Sequence, residues 1–384
     1  MEYTKIKAIN EYVSKSINPM NSPDTIFEVY SVQIFDTGHP EYLRGNEIAS
    51  NKAVVKKNDV LICKINPRIN RVWVVADESE HINIASSEWI VVRNNSYNPQ
   101  FLAWYFRGPK FKQLMVSEVT GIGGSLTRAQ PKAVAEYPVP VLSRAEQDKI
   151  AYILNKTTSV IEARKQELRS MDELIKARFV ELFGTYPANE RSWPTGTIRE
   201  LVTEVRYGSS RKAADGNKGK YPYLRMNNIT YGGELDLTDT KTIDVPDDEL
   251  DKCTVRRGDL LFNRTNSKEL VGKTCVYNRD ETMVLAGFVV RVRLNDRALP
   301  EFVAAFMNTD FSKQMLLGMC KAAIGQANIN AQELQNIGIY IPPVRMQKEF
   351  ASFKEQVNKS KVAVQKALDE AQLLFDSLMQ QYFG

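Results

Sequence analysis

The sequence predicts an α+β chain built as a tandem pseudo-twofold repeat: two similar globular domains separated by two long antiparallel helices that form a coiled coil. Three observations predict it. An apolar seven-residue repeat runs through residues 147–184, a second runs through 347–384, and landmarks of the first 142 residues recur about 200 positions later. The segments expected are a domain over 1–142, a long helix over 143–184, a second domain over 185–342 and a second long helix over 343–384.

In the first helix Leu154, Ile161, Leu168, Ile175 and Leu182 recur every seventh residue, with Ile150 and Met171 on the offset seam. A strict seven-residue period keeps one apolar seam facing a partner helix. Ser143-Arg144-Ala145-Glu146 has the spacing of a capping box, and Gly184 suits the left-handed residue just past a helix end. The second helix aligns with the first without a gap at an offset of 200, with identical pairs such as Gln147/Gln347, Leu168/Leu368 and Phe183/Phe383. Its seam is Phe350, Val357, Val364, Ala371 and Leu378, joined by Leu368, Phe375 and Tyr382. Neither helix has a partner inside its own half, so each is expected to pack against the other.

Before the first helix, short strands are expected at Phe27–Gln33, Val60–Ile65, Val72–Val75 and Trp89–Val92. A helix is expected from Pro99 to about Val116, followed by the glycine-rich stretch Thr120–Arg128 and Tyr137-Pro138-Val139-Pro140. After Gly184 the order repeats. Val255–Leu261 answers Val55–Leu61, with Gly258 where Asn58 stood, and both residue types tolerate positive φ. Leu299-Pro300-Glu301-Phe302 answers Asn98-Pro99-Gln100-Phe101, and Gly325–Asn330 takes the place of the glycine-rich stretch. The halves differ most at residues 205–220, which have only the dissimilar Val13–Met20 opposite them. Unlike loops on a shared scaffold suit the reading of two different targets.

Composition sets bounds. At 384 residues the chain is long enough for two or three domains. A hydrophobic content of 43% with 25% charged residues is that of a soluble protein, and no apolar run is long enough to span a bilayer. Met1-Glu2-Tyr3-Thr4-Lys5 opens into mixed polar sequence without a cleavable signal pattern. Cys63, Cys253, Cys275 and Cys320 lack paired spacing and read as reduced thiols of a cytoplasmic protein, with no metal site. A net charge of +5 is compatible with a polyanionic partner without establishing one.

No catalytic constellation emerges. Thr120-Gly121-Ile122-Gly123 follows a helix rather than a strand and lacks the Gly-Lys-Ser/Thr of a phosphate-binding loop. No Asn-Pro-Pro-Tyr tetrapeptide occurs. Pro23-Asp24 and Pro246-Asp247 lack the acidic-x-Lys triplet of a nuclease, and His81 near Ser86 reads as a surface histidine beside a strand. What remains is a binding protein with basic and amide-rich loops. Arginine suits guanine edges and phosphates, whereas asparagine and glutamine bond adenine bidentately. The candidates are Asn66, Arg68, Asn70, Arg71, Thr127 and Arg128 in the first half. In the second they are Arg206, Tyr207, Ser209, Ser210, Arg211, Lys212, Arg225, Asn227, Asn228, Arg264, Asn266, Lys268, Gln326, Asn328 and Asn330.

With the pieces Pro138-Val139-Pro140…Glu146-Gln147, Ile341-Pro342-Pro343…Gln347 and the Leu182-Phe183-Gly184 ending, the whole chain resembles the specificity subunit of Type I restriction-modification systems. It departs from the pattern at Leu142-Ser143-Arg144 and at Met346, both at helix entry. The resemblance implies a subunit without catalysis or a cofactor of its own. Each domain would be a target-recognition domain reading one half of a bipartite, asymmetric site in double-stranded DNA. The helices would set the spacer and dock two methylation subunits, which supply the S-adenosylmethionine chemistry, with restriction subunits joining for cleavage. The alternative from the residues themselves is a non-catalytic coiled-coil scaffold whose domains bind peptides.

Overall fold

Two turns 200 residues apart set the frame of each half. In the computed structural model, which describes residues 2–76, 78–117, 119–120, 127–214, 216, 218–320 and 327–384, Asn58 (φ 70°) and Gly258 (φ 91°) both adopt the left-handed conformation. One residue on, a buried aspartate closes the turn: Asp59 Oδ2 accepts the Lys56 N–H at 2.8 Å, and Asp259 Oδ2 accepts the Arg256 N–H at 2.9 Å. Each aspartate is also held by an arginine at the end of a neighbouring strand. Arg93 donates to Asp59 at 2.7 and 2.6 Å, and Arg293 Nε donates to Asp259 at 2.8 Å. A buried carboxylate is tolerated only with such partners.

The chain divides into two compact units, residues 1–166 with 365–384 and residues 167–364. In the first, Val60–Cys63 lies between Val72–Val74 and Trp89–Val92 in a three-stranded antiparallel sheet. A five-stranded sheet runs in the order Ser16–Ile17, Lys52–Val54, Ile82–Ala85, Ile26–Tyr30, Glu41–Arg44. Its pair Ile26–Tyr30 with Ile82–Ala85 is parallel and the rest antiparallel. The second unit repeats both sheets. Leu260–Asn263 lies between Thr274–Val276 and Val289–Leu294, and Tyr221–Leu224 pairs in parallel with Met283–Leu285. The repeat inferred from sequence is therefore one of topology.

Two differences from expectation have local causes. The helix expected from Pro99 to about Val116 is two helices, Pro99–Arg107 and Pro109–Ser117. Gly108 between them is extended (ψ 155°), because a proline disfavours the helical conformation in the residue before it. Residues 205–220 open with a strand, Val202–Tyr207, added to the edge of the second unit's sheet beside Val289–Leu294.

The two long helices run Arg144–Phe183 and Val344–Phe383, 40 residues or about 60 Å each. The expected caps form: Ser143 Oγ and Glu146 Oε2 lie 2.6 Å apart with the Ser143 N–H donating to the same carboxylate, and Gly184 has φ 79°. Each helix starts on a buried glutamine used in the same way. Gln147 Oε1 accepts the Asn98 N–H at 2.8 Å while Nε2 donates to the Leu142 carbonyl. Gln347 Oε1 accepts the Leu299 N–H at 2.7 Å while Nε2 donates to the Pro342 and Arg297 carbonyls.

The two helices meet as antiparallel partners. In the first unit Ile150, Ala151 and Leu154 share a core with Met379 and Phe383, flanked by Phe375, Leu378 and Tyr382. In the second Phe179, Leu182 and Phe183 share one with Phe350, and Ile175 packs against it. Ile161, Val357 and Val364 are also buried, and Leu168 and Leu368 are half-buried. The seam is not apolar throughout. Where the first helix has Leu154 and Ile161, the second has Lys354 and Lys361. Lys361 Nζ reaches Asp172 on the first helix at 2.8 Å and Glu234 in a loop at 2.9 Å. Burial pulls the Lys354 ammonium below its ordinary pKa. Among the described residues no helix is long and apolar enough to cross a membrane.

Replacing Gln347 with alanine strands the Leu299 N–H and two carbonyls in a site closed to water. Urea unfolding should show the second unit weakened by on the order of 2–4 kcal/mol. Gly108→Ala should also destabilise, by about 1–3 kcal/mol, since an added Cβ would sit 2.9 Å from the Phe383 Cβ and from the Tyr105 carbonyl oxygen.

Candidate nucleic-acid interface

The first-half candidates fall on one turn and one short bridge. Asn66 (φ 46°) and Asn70 (φ 54°) bracket a turn in which the Asn70 N–H donates to the Pro67 carbonyl. Asparagine is enriched in this backbone region, so the two residues shape the loop as well as decorating it. The Asn66 N–H donates to the Thr127 carbonyl at 2.9 Å, and Ile65 bridges Arg128, so the two separate candidate stretches lie side by side. Arg68 is exposed, Arg71 half-buried, and Thr127 buried. Arg128, with 54% of its side chain exposed, is held at 3.2 Å by Glu88. Among the described residues Asn66 Oδ1, Asn70 Oδ1, Arg71 Nε and Glu88 Oε2 are closed to water and bonded to nothing. Such unfilled capacity is costly and uncommon, and four such atoms lie on this turn and on the partner of Arg128.

In the second half the same frame holds a different set. Thr265 pairs with Asn328 and Asn266 with Ala327 on two short strands. Arg264 Nη2 donates to Asn328 Oδ1 at 3.1 Å, and its guanidinium lies 4.8 Å from the centre of the Tyr207 ring. The Tyr207 hydroxyl accepts the Ala331 N–H at 3.0 Å. Tyr207, Arg264 and Asn328 thus form one polar cluster assembled from three distant stretches, with an aromatic face, a guanidinium and an amide presented together. Lys268 and Asn227 are exposed.

Other candidates are spent within the fold. Asn228 is buried, its amide donating to the Asp236 carbonyl and its oxygen accepting the Arg225 N–H. Asn330 caps the helix Ala331–Gln335 by accepting the Gln332 and Glu333 N–H groups at 2.8 and 2.9 Å. Ser209 is buried at the base of its loop and accepts the Arg211 N–H. Asn266 accepts the Ser267 N–H and donates to Asn263. Arg206 pairs with Glu204 at 3.1 Å, and Arg211 grips Glu249 with two bonds at 2.7 and 3.2 Å. Hydrogen bonding to Arg211 holds the Glu249 carboxyl below its ordinary range, and Arg225 does the same to Asp239. Ser210 and Lys212 beside Arg211 are exposed and free of such pairing in the hydrogen bonds and ion pairs described. Gln326 lies outside the described residues, as does most of the glycine-rich stretch.

Sequence reasoning passed over Glu88 and Lys64. Their signal was available: at the offset of 200 they stand opposite Phe288 and Arg264, on the same turns as the candidates.

The comparisons bear on the family. A model described as the Type I restriction modification DNA specificity domain matches residues 190–371. The chain is 22% identical over 295 residues to the Type I restriction enzyme EcoKI specificity subunit of Escherichia coli (strain K12), covering 73% of this chain and 63% of that protein. It is 22% identical to the StySPI specificity subunit of Salmonella potsdam, with 74% and 63% covered. The matched region therefore spans a little under two thirds of these relatives' length. In fold it is similar to a chain solved for complex assembly and conformational transition of the type I R-M system (TM-score 0.59, 18% identity, 100% of this chain and 97% of that one). It is likewise similar to the type I restriction-modification S subunit from M. genitalium (TM-score 0.58, 12% identity, 100% and 96%). Residues 190–371 thus carry the match to the type I restriction-modification DNA specificity domain, and the tandem sheets and paired long helices give the whole chain a fold similar to that of the type I S subunit.

Proposed function

We propose that this chain is the DNA-reading subunit of a type I complex. Residues 1–142 and 185–342 act as target-recognition domains, each taking one half of a bipartite asymmetric site in double-stranded DNA. The long helices, 143–184 and 343–384, set the spacer and dock two methylation subunits. The chain itself contributes recognition rather than chemistry and acts in the cytoplasm. Restriction subunits complete the assembly that cleaves.

The observation that carries this reading is the pair of unlike polar clusters on like backbone frames. Asn66, Asn70, Arg71 and Arg128 stand on one, and Tyr207, Arg264 and Asn328 on the other. A shared scaffold with different side chains is what reading two unrelated half-sites requires, because base edges are told apart by the donors and acceptors that meet them. Exposed cations beside these clusters, Arg68 and Lys268 among them, suit phosphate contacts, which position the duplex without reading it.

The test is binding by the chain assembled with its methylation subunits. A split site should be protected, with affinity falling steeply as salt rises, since released counterions drive phosphate binding. A peptide-binding scaffold would show a shallow salt response and no protected site. Arg264→Ala should weaken specific binding by about 1–3 kcal/mol and leave thermal unfolding unchanged. Inserting one heptad into both long helices should shift the spacer length that is methylated. An unchanged spacer would remove the helices from the role of ruler.

A further inference from the structure

The two halves agree hydrogen bond for hydrogen bond around positions 64, 88 and 128. The Lys64 N–H donates to the Glu88 carbonyl at 3.0 Å, and the Arg264 N–H to the Phe288 carbonyl at 2.9 Å. The Ala129 N–H donates to the Lys64 carbonyl at 2.8 Å, and the Ile329 N–H to the Arg264 carbonyl at 2.9 Å. Even the turn before repeats, with Trp89 N–H to Ser86 carbonyl answered by Val289 N–H to Ala286 carbonyl. Positions 128 and 328 are thus equivalent, as are 88 and 288, while the side chains on them differ in kind.

In the first half Glu88 holds the exposed Arg128 through one guanidinium nitrogen at 3.2 Å. Arginine has five donors in a fixed fork, so a carboxylate on one nitrogen orients the plane and leaves a pair for the two acceptors of guanine, O6 and N7. In the second half Phe288, with half its surface exposed, stands in the place of that carboxylate. Asn328 is oriented instead by Arg264, which bonds one lone pair of its amide oxygen. The second lone pair and the amide N–H₂ remain, the set that grips N6 and N7 of adenine. The exposed phenyl ring of Phe288, whose carbonyl accepts the Arg264 N–H, suits a thymine methyl group.

Building on the proposed function, we infer that positions 128/328 read one base edge in each half-site and positions 88/288 decide which. Arg128, positioned by Glu88, takes a guanine. Asn328 and Phe288 take an adenine–thymine pair, the amide on adenine and the ring on a thymine methyl. Glu88 is a positioning residue, whereas Phe288 is a contact and a determinant of specificity that charge or polarity would not have flagged.

The experiment uses the whole chain assembled with its methylation subunits. The methylated site is first determined by sequencing a randomised library, and binding is then measured on duplexes carrying base analogues. With 7-deazaguanine, which lacks the N7 acceptor, one position of one half-site should lose about tenfold in affinity. That loss should vanish in Arg128→Ala and shrink in Glu88→Ala but persist in Glu88→Asp. With deoxyuridine for thymidine in the other half-site, wild type should lose three- to tenfold, and Phe288→Ala should be indifferent to the exchange. A merely structural role for Glu88 or Phe288 would weaken all duplexes alike, and that outcome overturns the inference. So does a defined bipartite site whose affinity responds to neither analogue, which would leave the proposed function standing. A wild-type complex with no defined site overturns both.

Discussion

Both ends of each long helix are pinned by buried side chains, and the rest of the architecture follows from that constraint. Gln147 and Gln347 fix the starts, each bridging the chain that enters its helix to the segment that opens a helix in the same unit. Phe183 and Phe383 fix the ends, as fully or nearly fully buried rings in the cores of the second and first units. Every unit therefore contains the beginning of one helix and the end of the other. A polar clamp inside a core costs little only while all its hydrogen bonds are made, so the glutamines define a starting residue far more sharply than apolar packing could.

At the candidate loops the logic is reversed. The turns at Asn58 and Gly258, the aspartate–arginine pairs and the antiparallel bridges at 65/128 and 265/328 hold the backbone, and the side chains that leave it are free to differ. Backbone hydrogen bonds do not depend on side-chain identity. A frame secured in this way can exchange Glu for Phe, or Arg for Asn, without refolding. In the proposed function, binding specificity and stability are carried by different atoms, so that two heads on one frame can read differently.

The repeat, the helix spans within a residue or two, both caps and the two positive-φ turns were legible in the sequence, because each rests on local chemistry or on a long regular period. The pairing of the two helices was legible too, since an apolar seam must meet something. What escaped was set by contacts distant in sequence. Glu2–Lys5 pairs with Pro138–Val141, and nothing in either short stretch announces the other. The break at Gly108 was signalled by Pro109, but the apolar spacing on either side outweighed it in reading. Among candidate residues, what the sequence hides is engagement within the fold. Asn228 and Asn330 have the chemistry of base readers and the positions of structural caps, and only the neighbouring backbone donors distinguish the two.

The charge pair between Lys361 and Asp172 distinguishes the two repeats. At the offset that relates the halves, Lys361 answers Ile161 and Asp172 answers Gln372. Two copies of the second half brought together would set each lysine against an amide. Two copies of the first would set each aspartate against an aliphatic side chain. Only the mixed pairing matches cation to anion. At this point of the seam the two repeats are lock and key rather than interchangeable twins, and the single chain carries both.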